Sequence, residues 1–487
     1  MINYKLLVEK EFFKALMIPT NDVRIDALVG SNPTNQGQPL KWNVTPGGTL
    51  TYSFVTNAEA SAYETALDET GIQEVDEGTK NQVRQIMQTV YGTVLPINFV
   101  EDLSGQGNLR IMLGDLTNSP DAAAYALGDL ADPNDFQAVV LKKGEEYNFG
   151  NLPGSFEYST LIHELGHALG LEHPGNYNAG EKDPTPLPPG RVVLPFEQDN
   201  SRNTIMSYNP GSATEGDVAA AEPQTLMPYD ILALQFLYGA KDNNSGNDVY
   251  TFNDTNFKQV ATIWDSGGID TVDFSGLSAD EVYTLRLAPG LPFTTQAALK
   301  GLDYRLEPSQ GAPEGATYQT DTFGTYTSFT TEIENLIGTA GQDEILGNRF
   351  NNSIQSGEGN DLVYGGKGGD ILDAGIGNDT IYAGREADQI NGGEGDDIIF
   401  GDRDNDTITG GGGNDRFILA PGLGTDTITD FIQGSDQLAL SGGLTFAQLA
   451  IVPQAGGSTV QITGTGEIIA VLSGATVALG ASDFTLA

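Results

Sequence analysis

The chain runs to 487 residues, enough for two or three domains, and 39% of it is hydrophobic, enough to fill their cores. Its 66 acidic residues against 23 basic ones give a formal net charge of −43, which argues against nucleic acid and anionic membrane surfaces as partners. The absence of cysteine excludes disulfides, thiolate metal ligands and cysteine nucleophiles, and no apolar run approaches membrane-spanning length, which excludes membrane insertion by a helix.

Residues 1–21 read as a removable leader or arm without signal-peptide character, because the apolar stretch Phe12–Pro19 is short and carries Lys14. Residues 22–240 read as a mixed α/β domain. Thr49–Val55 alternates as a strand does, and Val83, Ile86, Met87 and Val90 mark a helix by spacings of three and four, with Gly92 placed to end it. Leu95–Val100, Leu109–Leu113 and Ala138–Leu141 read as strands. A last helix starts at Met227-Pro228-Tyr229-Asp230, with proline in its first turn, and stops at Gly239. Residues 241–337 are short β-prone runs broken by Gly, Asp and Asn.

All three histidines fall in one segment, His163-Glu164-Leu165-Gly166-His167-Ala168-Leu169-Gly170-Leu171-Glu172-His173. On a helix His163 and His167 share a face and offer two imidazole nitrogens to one ion, while Leu161, Leu165 and Leu169 anchor the opposite stripe. Gly170 lets the chain turn sharply and brings His173 round as a third ligand. Three imidazoles suit one zinc ion and leave a position open for water, as a catalytic site requires. Glu164 is then the expected general base.

Nine consecutive nonapeptides fill residues 338–418. Their sixth positions are Asp343, Asn352, Asp361, Asp370, Asp379, Asp388, Asp397, Asp406 and Asp415, and their eighth positions are apolar throughout, from Ile345 to Phe417. This is the form of the calcium-binding β-roll repeat of RTX proteins. A glycine-rich turn is followed by a short strand with one buried apolar residue, and two repeats complete one turn of the coil. Each calcium is expected between stacked turns, held by carboxylate and carbonyl oxygens. The expected ligands are Asp343, Asp361, Asp370, Asp379, Asp388, Asp397 and Asp415, with turn residues Gly341, Gly357, Gly359, Gly366, Gly368, Gly375, Gly377, Gly392, Gly393, Gly395 and Gly410. Position four is glycine in every odd repeat but Phe350, Gly368, Glu386 and Asp404 in the even ones. That pattern predicts calcium dense along the odd edge and sparse along the even edge, except near Asp370 and Asp388. Residues 419–487 read as a further β segment.

The histidine segment matches the metzincin pattern His-Glu-x-x-His-x-x-Gly-x-x-His. Together with Pro174–Glu181 and Thr204-Ile205-Met206-Ser207-Tyr208, it resembles the serralysin family in particular. The resemblance implies an α+β metzincin protease domain followed by an all-β C-terminal domain with a parallel calcium β-roll. It implies Met206 as a hydrophobic floor beneath the zinc, and Tyr208 as a further zinc ligand that stabilises the tetrahedral intermediate. It also makes Ala123–Leu127 an edge strand to which an extended peptide adds. Trp264–Thr271 resembles the family's entry loop, in which Asp265, Gly267, Gly268 and Asp270 are calcium ligands; Glu332 and Glu334 fall where partner oxygens belong, with Glu332 replacing a threonine.

Asp426–Asp436 and the ending Asp483–Ala487 resemble the segment after the roll and the uncleaved C-terminal signal read by the type I secretion machinery of a Gram-negative bacterium. The implied protein is a secreted, extracellular, monomeric zinc metalloprotease acting on polypeptide substrates and open to a proteinaceous inhibitor. It would hold one catalytic zinc, and several structural calcium ions would fold its RTX domain after export. The alternative is a calcium-dependent surface or adhesive RTX protein with an inactive protease-like domain. The intact set of Glu164 and three histidines counts against it.

Overall fold

The structure is a computed structural model describing residues 22–29, 41–117, 122–127, 136–175, 193–194, 198–208, 222–287, 289, 292–295, 304–305, 317–318, 324–473 and 479–487. The arm expected at 1–21, and most of the family-like stretch after Pro174, lie outside the described residues. The chain divides into two compact units. One comprises Met1–Asn243, Gln259–Ser266 and Gly301–Thr331; the other comprises Asn244–Lys258, Gly267–Lys300 and Glu332–Ala487. The stretch 241–337, with its short β-prone runs, is therefore shared between the two.

In the first unit, helix α1 (Val23–Leu28) precedes strand β1 (Thr49–Phe54) and helices α2 (Ala60–Leu67) and α3 (Glu77–Ile86). Strands β2 (Asn98–Glu101), β3 (Leu109–Gly114), β4 (Ala124–Leu127) and β5 (Gln137–Lys142) follow, then helices α4 (Phe156–Ala168) and α5 (Pro228–Tyr238). The strands form one sheet in the order β2-β1-β3-β5-β4, parallel except for β4, which runs antiparallel to β5 at the edge. The run Ala138-Val139-Val140-Leu141 is fully buried, as a strand covered on both faces should be.

Helix α3 starts cleanly, with the Asp76 carboxylate accepting from Thr79 N–H. It does not stop at Gly92. A π turn over Met87–Tyr91 leads into a further helical turn at Gly92–Val94, and the chain leaves the helix at Leu95. The wider turn keeps Met87, Val90 and Tyr91 all inward, and the Tyr91 hydroxyl reaches α4 to donate to Ile162 O at 2.6 Å. The next strand begins at Asn98 rather than Leu95, because Leu95 and Ile97 are buried in the core instead.

Helix α4 is capped by Ser155, whose hydroxyl accepts from Tyr158 N–H, and Leu161 and Leu165 on it are fully buried. It ends in a Schellman motif: Gly170 N–H donates to His167 O and Leu171 N–H to Gly166 O, with Gly170 at φ 101°. The chain then bridges antiparallel to Val29, and Glu172 N–H donates to Leu28 O.

In the second unit the nonapeptides build two parallel ladders. Odd repeats supply Asp343–Leu346, Leu362–Lys367, Thr380–Arg385, Ile398–Asp402 and Arg416–Leu419; even repeats supply Ser353–Gln355, Ile371–Asp373, Gln389–Glu394 and Thr407–Gly412. Pairings such as Ile345↔Val363 and Ile354↔Leu372 join every second repeat, so two repeats make one turn of a β-roll. The eighth-position side chains from Ile345 to Phe417 are all at most 3% exposed and form its core. The turns need glycine where they stack: a Cβ at Gly377 would lie 1.4 Å from Gly359 O. Asp426–Ile428 and Gln437–Leu440 extend the two ladders, and Phe484–Leu486 pairs parallel to the latter. The fold is thus α+β in the first unit, and an all-β second unit built on a parallel roll.

Candidate metal centre

The turn after α4 carries His173 back against the helix. Its Nε2 lies 3.2 Å from His163 Nε2 and 3.0 Å from His167 Nε2, so three imidazoles share one focus. His163 Nδ1 lies 2.7 Å from Ile205 O, and His167 Nδ1 lies 2.7 Å from Leu171 O. A carbonyl only accepts, so each Nδ1 carries the proton and each Nε2 presents a lone pair. Two lone pairs converging on a third imidazole are not satisfied by one ring proton; a cation satisfies all three. The donor set fits zinc, with backbone carbonyls fixing both helical ligands. Burial reinforces this by depressing the His163 pKa to about 4, against the opposing bond to Ile205.

Glu164, next to His163, is 5% exposed, and its Oε2 is buried without a hydrogen-bond partner among the described residues. Burial pushes its carboxyl up to about 8. The Tyr208 ring lies 4.5 Å from the His173 ring and 5.4 Å from the His163 ring, centroid to centroid, with 42% of the residue exposed. Met206 is fully buried beneath α4. A Cβ at Gly166 would lie 2.9 Å from Met206 Sδ and 3.4 Å from the Tyr91 hydroxyl, so the glycine lets the methionine turn approach the helix. Gly166→Ala is therefore expected to cost about 1–3 kcal/mol through overpacking, despite alanine's better helix propensity. Denaturant unfolding of the metal-free chain checks it; an unchanged or raised midpoint would contradict the close packing.

Three features escaped sequence reasoning. The fully buried Asp230 carboxylate accepts from Thr204 Oγ1, Ile205 N–H and Met227 N–H, tying the methionine turn to the start of α5. Its place as the third residue of a helix signalled the bond to Met227, but nothing local signalled the other two. Glu69 accepts from Thr117 N–H and Oγ1, each at 2.6 Å, and from the Tyr125 hydroxyl at 2.7 Å, anchoring edge strand β4. Burial alone pushes Glu69 up, yet these bonds and one from Thr70 hold it at about 2. Finally, Thr331 rather than Glu332 meets Asp265: its hydroxyl accepts from Asp265 N–H at 3.0 Å, while Glu332 pairs with Arg349.

The remaining calcium candidates fall as follows. In the second unit Asp270 is fully buried, its N–H donates to Glu334 Oε2, and its carboxylate accepts from Asp248 N–H. Gly267 and Gly268 take φ 142° and 148°. Along the odd edge of the roll each aspartate's N–H donates to the next one's Oδ1, from Asp343 through Asp361, Asp379 and Asp397 to Asp415. The even edge repeats the pattern from Asn352 through Asp370 and Asp388 to Asp406. Glu386, Asp402 and Asp404 replace glycine on that edge and still adopt left-handed backbone, at φ 75°, 67° and 77°. The two edges thus share one backbone path.

Residues 229–289 match the family model for the C-terminal part of M10 serralysin peptidases, and four matches over 337–372, 366–399, 373–408 and 391–428 are to the RTX calcium-binding nonapeptide repeat. The chain is similar to the serralysins. A serralysin of Proteus mirabilis is 33% identical over 213 residues, covering 41% of this chain and 37% of that one. The metalloprotease AprA of Pseudomonas entomophila (strain L48) is 30% identical over 332 residues, covering 63% and 60%. Serralysin G of Dickeya chrysanthemi is 34% identical over 211 residues, covering 41% and 38%. This serralysin-like chain therefore spans between 37% and 60% of the length of these relatives.

Proposed function

We propose that this chain is a zinc endopeptidase whose RTX unit is folded by calcium outside the cell. The observation that carries the reading is the convergence of three imidazole Nε2 atoms, two of them held by backbone carbonyls at Nδ1. Zinc bound there supplies Lewis acidity, enough to make a water molecule an effective nucleophile near neutral pH. The chain's own groups supply the rest. Glu164 Oε2, buried and without a competing donor among the described residues, would accept a proton from the attacking water and later pass it to the leaving amine, the charge of a bound zinc ion offsetting the burial that raises its carboxyl to about 8. Tyr208, beside His163 and His173, directs its phenol toward the oxyanion that forms.

Among the described residues strand β4 pairs only with β5 and lies at the sheet edge, so an extended polypeptide adds to it by backbone hydrogen bonds and is selected loosely by sequence. Glu69, bonded to both Thr117 and Tyr125, keeps that strand in place. The relatives' names support a protease, and the matched repeats support calcium. Type I export and a monomeric state go with this reading; a formal charge of −43 opposes self-association. The second reading, a surface or adhesive RTX protein with an inactive protease-like domain, is opposed by the intact site.

The test is casein hydrolysis by the full chain, with calcium in excess, before and after a zinc-selective chelator. Activity should fall by at least about a hundredfold and return with stoichiometric zinc. Undiminished cleavage by the metal-free protein would refute the proposal.

A further inference from the structure

Ile205 O, the acceptor for His163, does not stand alone. The same peptide group ends in Met206 N–H, which donates to Thr204 Oγ1 at 3.1 Å, and the Thr204 hydroxyl in turn donates to Asp230 Oδ1. Asp230 Oδ2 holds the preceding peptide as well, accepting from Ile205 N–H at 2.8 Å. Asp230 and Thr204 are both fully buried. A continuous line of hydrogen bonds therefore runs from a carboxylate through a hydroxyl and one peptide to the imidazole.

We propose that Asp230 and Thr204 form a positioning relay that orients His163 and raises its strength as a metal ligand; the inference rests on the zinc reading above. Each bond in the line polarises the next in the same sense. A hydroxyl donating to a carboxylate becomes a better acceptor, the Met206 N–H it binds gives up electron density, and the carbonyl at the other end of that peptide becomes more negative. His163 Nδ1–H then donates more strongly, and Nε2 becomes more basic. A carboxylate in direct contact with a metal-bound histidine does this in many metal sites; here a peptide is interposed. For His167 the acceptor is Leu171 O, and the N–H of that same peptide, from Glu172, donates to Leu28 O.

The experiment compares zinc affinity across full-length variants, measured by competition with a chromophoric chelator in excess calcium, together with the visible spectrum of the cobalt-substituted protein. Thr204→Val deletes the hydroxyl but leaves Asp230 its two backbone donors, and Thr204→Ser retains the hydroxyl. Thr204→Val should bind zinc about ten- to a hundredfold more weakly and shift the cobalt bands, while Thr204→Ser matches the parent and the metal-free melting temperature barely moves. Asp230→Asn, nearly isosteric, should weaken zinc in the same direction. A purely structural role would lower melting temperature without moving the cobalt spectrum, and that outcome overturns the relay. Equal zinc affinity and unchanged bands in both Thr204→Val and Asp230→Asn overturn it too. A parent chain that takes up no zinc overturns the zinc reading, and the relay with it.

Discussion

Stripping calcium from the full chain at pH 8 is expected to unfold the roll, and acidifying the calcium-free protein to about pH 4 should restore order to it. The reason lies in the stacked aspartates. Each uses Oδ1 to accept the amide of its predecessor, but Oδ2 of Asp361, Asp370, Asp379, Asp388, Asp397 and Asp406 is buried without a hydrogen-bond partner among the described residues. Burial pushes Asp370 and Asp406 up to about 8, Asp343, Asp379, Asp388 and Asp397 to about 7, and Asp361 and Asp415 to about 6, from an ordinary 3.8. Between pH 4 and pH 8 the folded roll therefore binds more protons than the unfolded chain, and its stability falls as pH rises. The penalty is absent below about pH 4 and complete above about pH 8. A rise from 3.8 to about 7 costs about 4 kcal/mol per ionised carboxylate, and a whole domain commands only about 5–15 kcal/mol. Calcium held among these carboxylates would offset their charge and so remove the penalty, and would be needed most where protons are scarcest. Amide exchange over 343–415 in a Glu164→Gln background, chosen to exclude self-digestion by the proposed peptidase, is the measurement. Trp42 and Trp264, both buried in the first unit, report separately on that part. Full protection at pH 8 in a calcium chelator would rule the coupling out.

Features set by local spacing were legible in the sequence. The nonapeptide period fixes which side chain is buried and which amide meets which carboxylate, and the ladders follow it residue for residue. The histidines were legible for the same reason: positions four apart share a helix face, and a glycine at the helix end permits the left-handed turn that returns the chain. What escaped depends on partners far apart in sequence. Asp230 meets Thr204 across 26 positions and Glu69 meets Thr117 across 48, distances over which periodicity carries no information. Gly92 misled for a subtler reason. Spacings of three and four show which side of a helix is buried, but a π turn changes the spacing and keeps burial, so the helix outran its apparent stop. On the even edge, Glu386 and Asp404 read as departures from the repeat. Stacking between neighbouring turns nonetheless holds them in the backbone that glycine adopts elsewhere.

Glu164→Gln should abolish hydrolysis and at the same time stabilise the protein, and the conjunction is more telling than either effect alone. Glutamine keeps the volume of glutamate, so α4 and the three imidazoles should remain as they are and zinc should still bind. It cannot take a proton from water at neutral pH, so turnover should fall by about two to four orders of magnitude. The stability gain follows from burial. Glu164 is 5% exposed, one carboxylate oxygen has no partner among the described residues, and Asp230 is close enough that both charges bear on Tyr91, whose hydroxyl is held well above its usual range by burial first and by those charges next. A buried, unpaired carboxylate is among the costliest groups a fold can carry, while a neutral amide of the same shape costs less. Packing gives no reason for a glutamate there; the proposed proton transfer does, and at a site that serves chemistry substitution trades activity for stability. Calorimetry of both proteins in a zinc-selective chelator with excess calcium reads the second effect free of self-digestion. A Glu164→Gln protein that still cleaves casein at the parent's rate would remove the proton-transfer role. One that is inactive but melts well below the parent would show that Glu164 holds the helix together rather than serving the reaction.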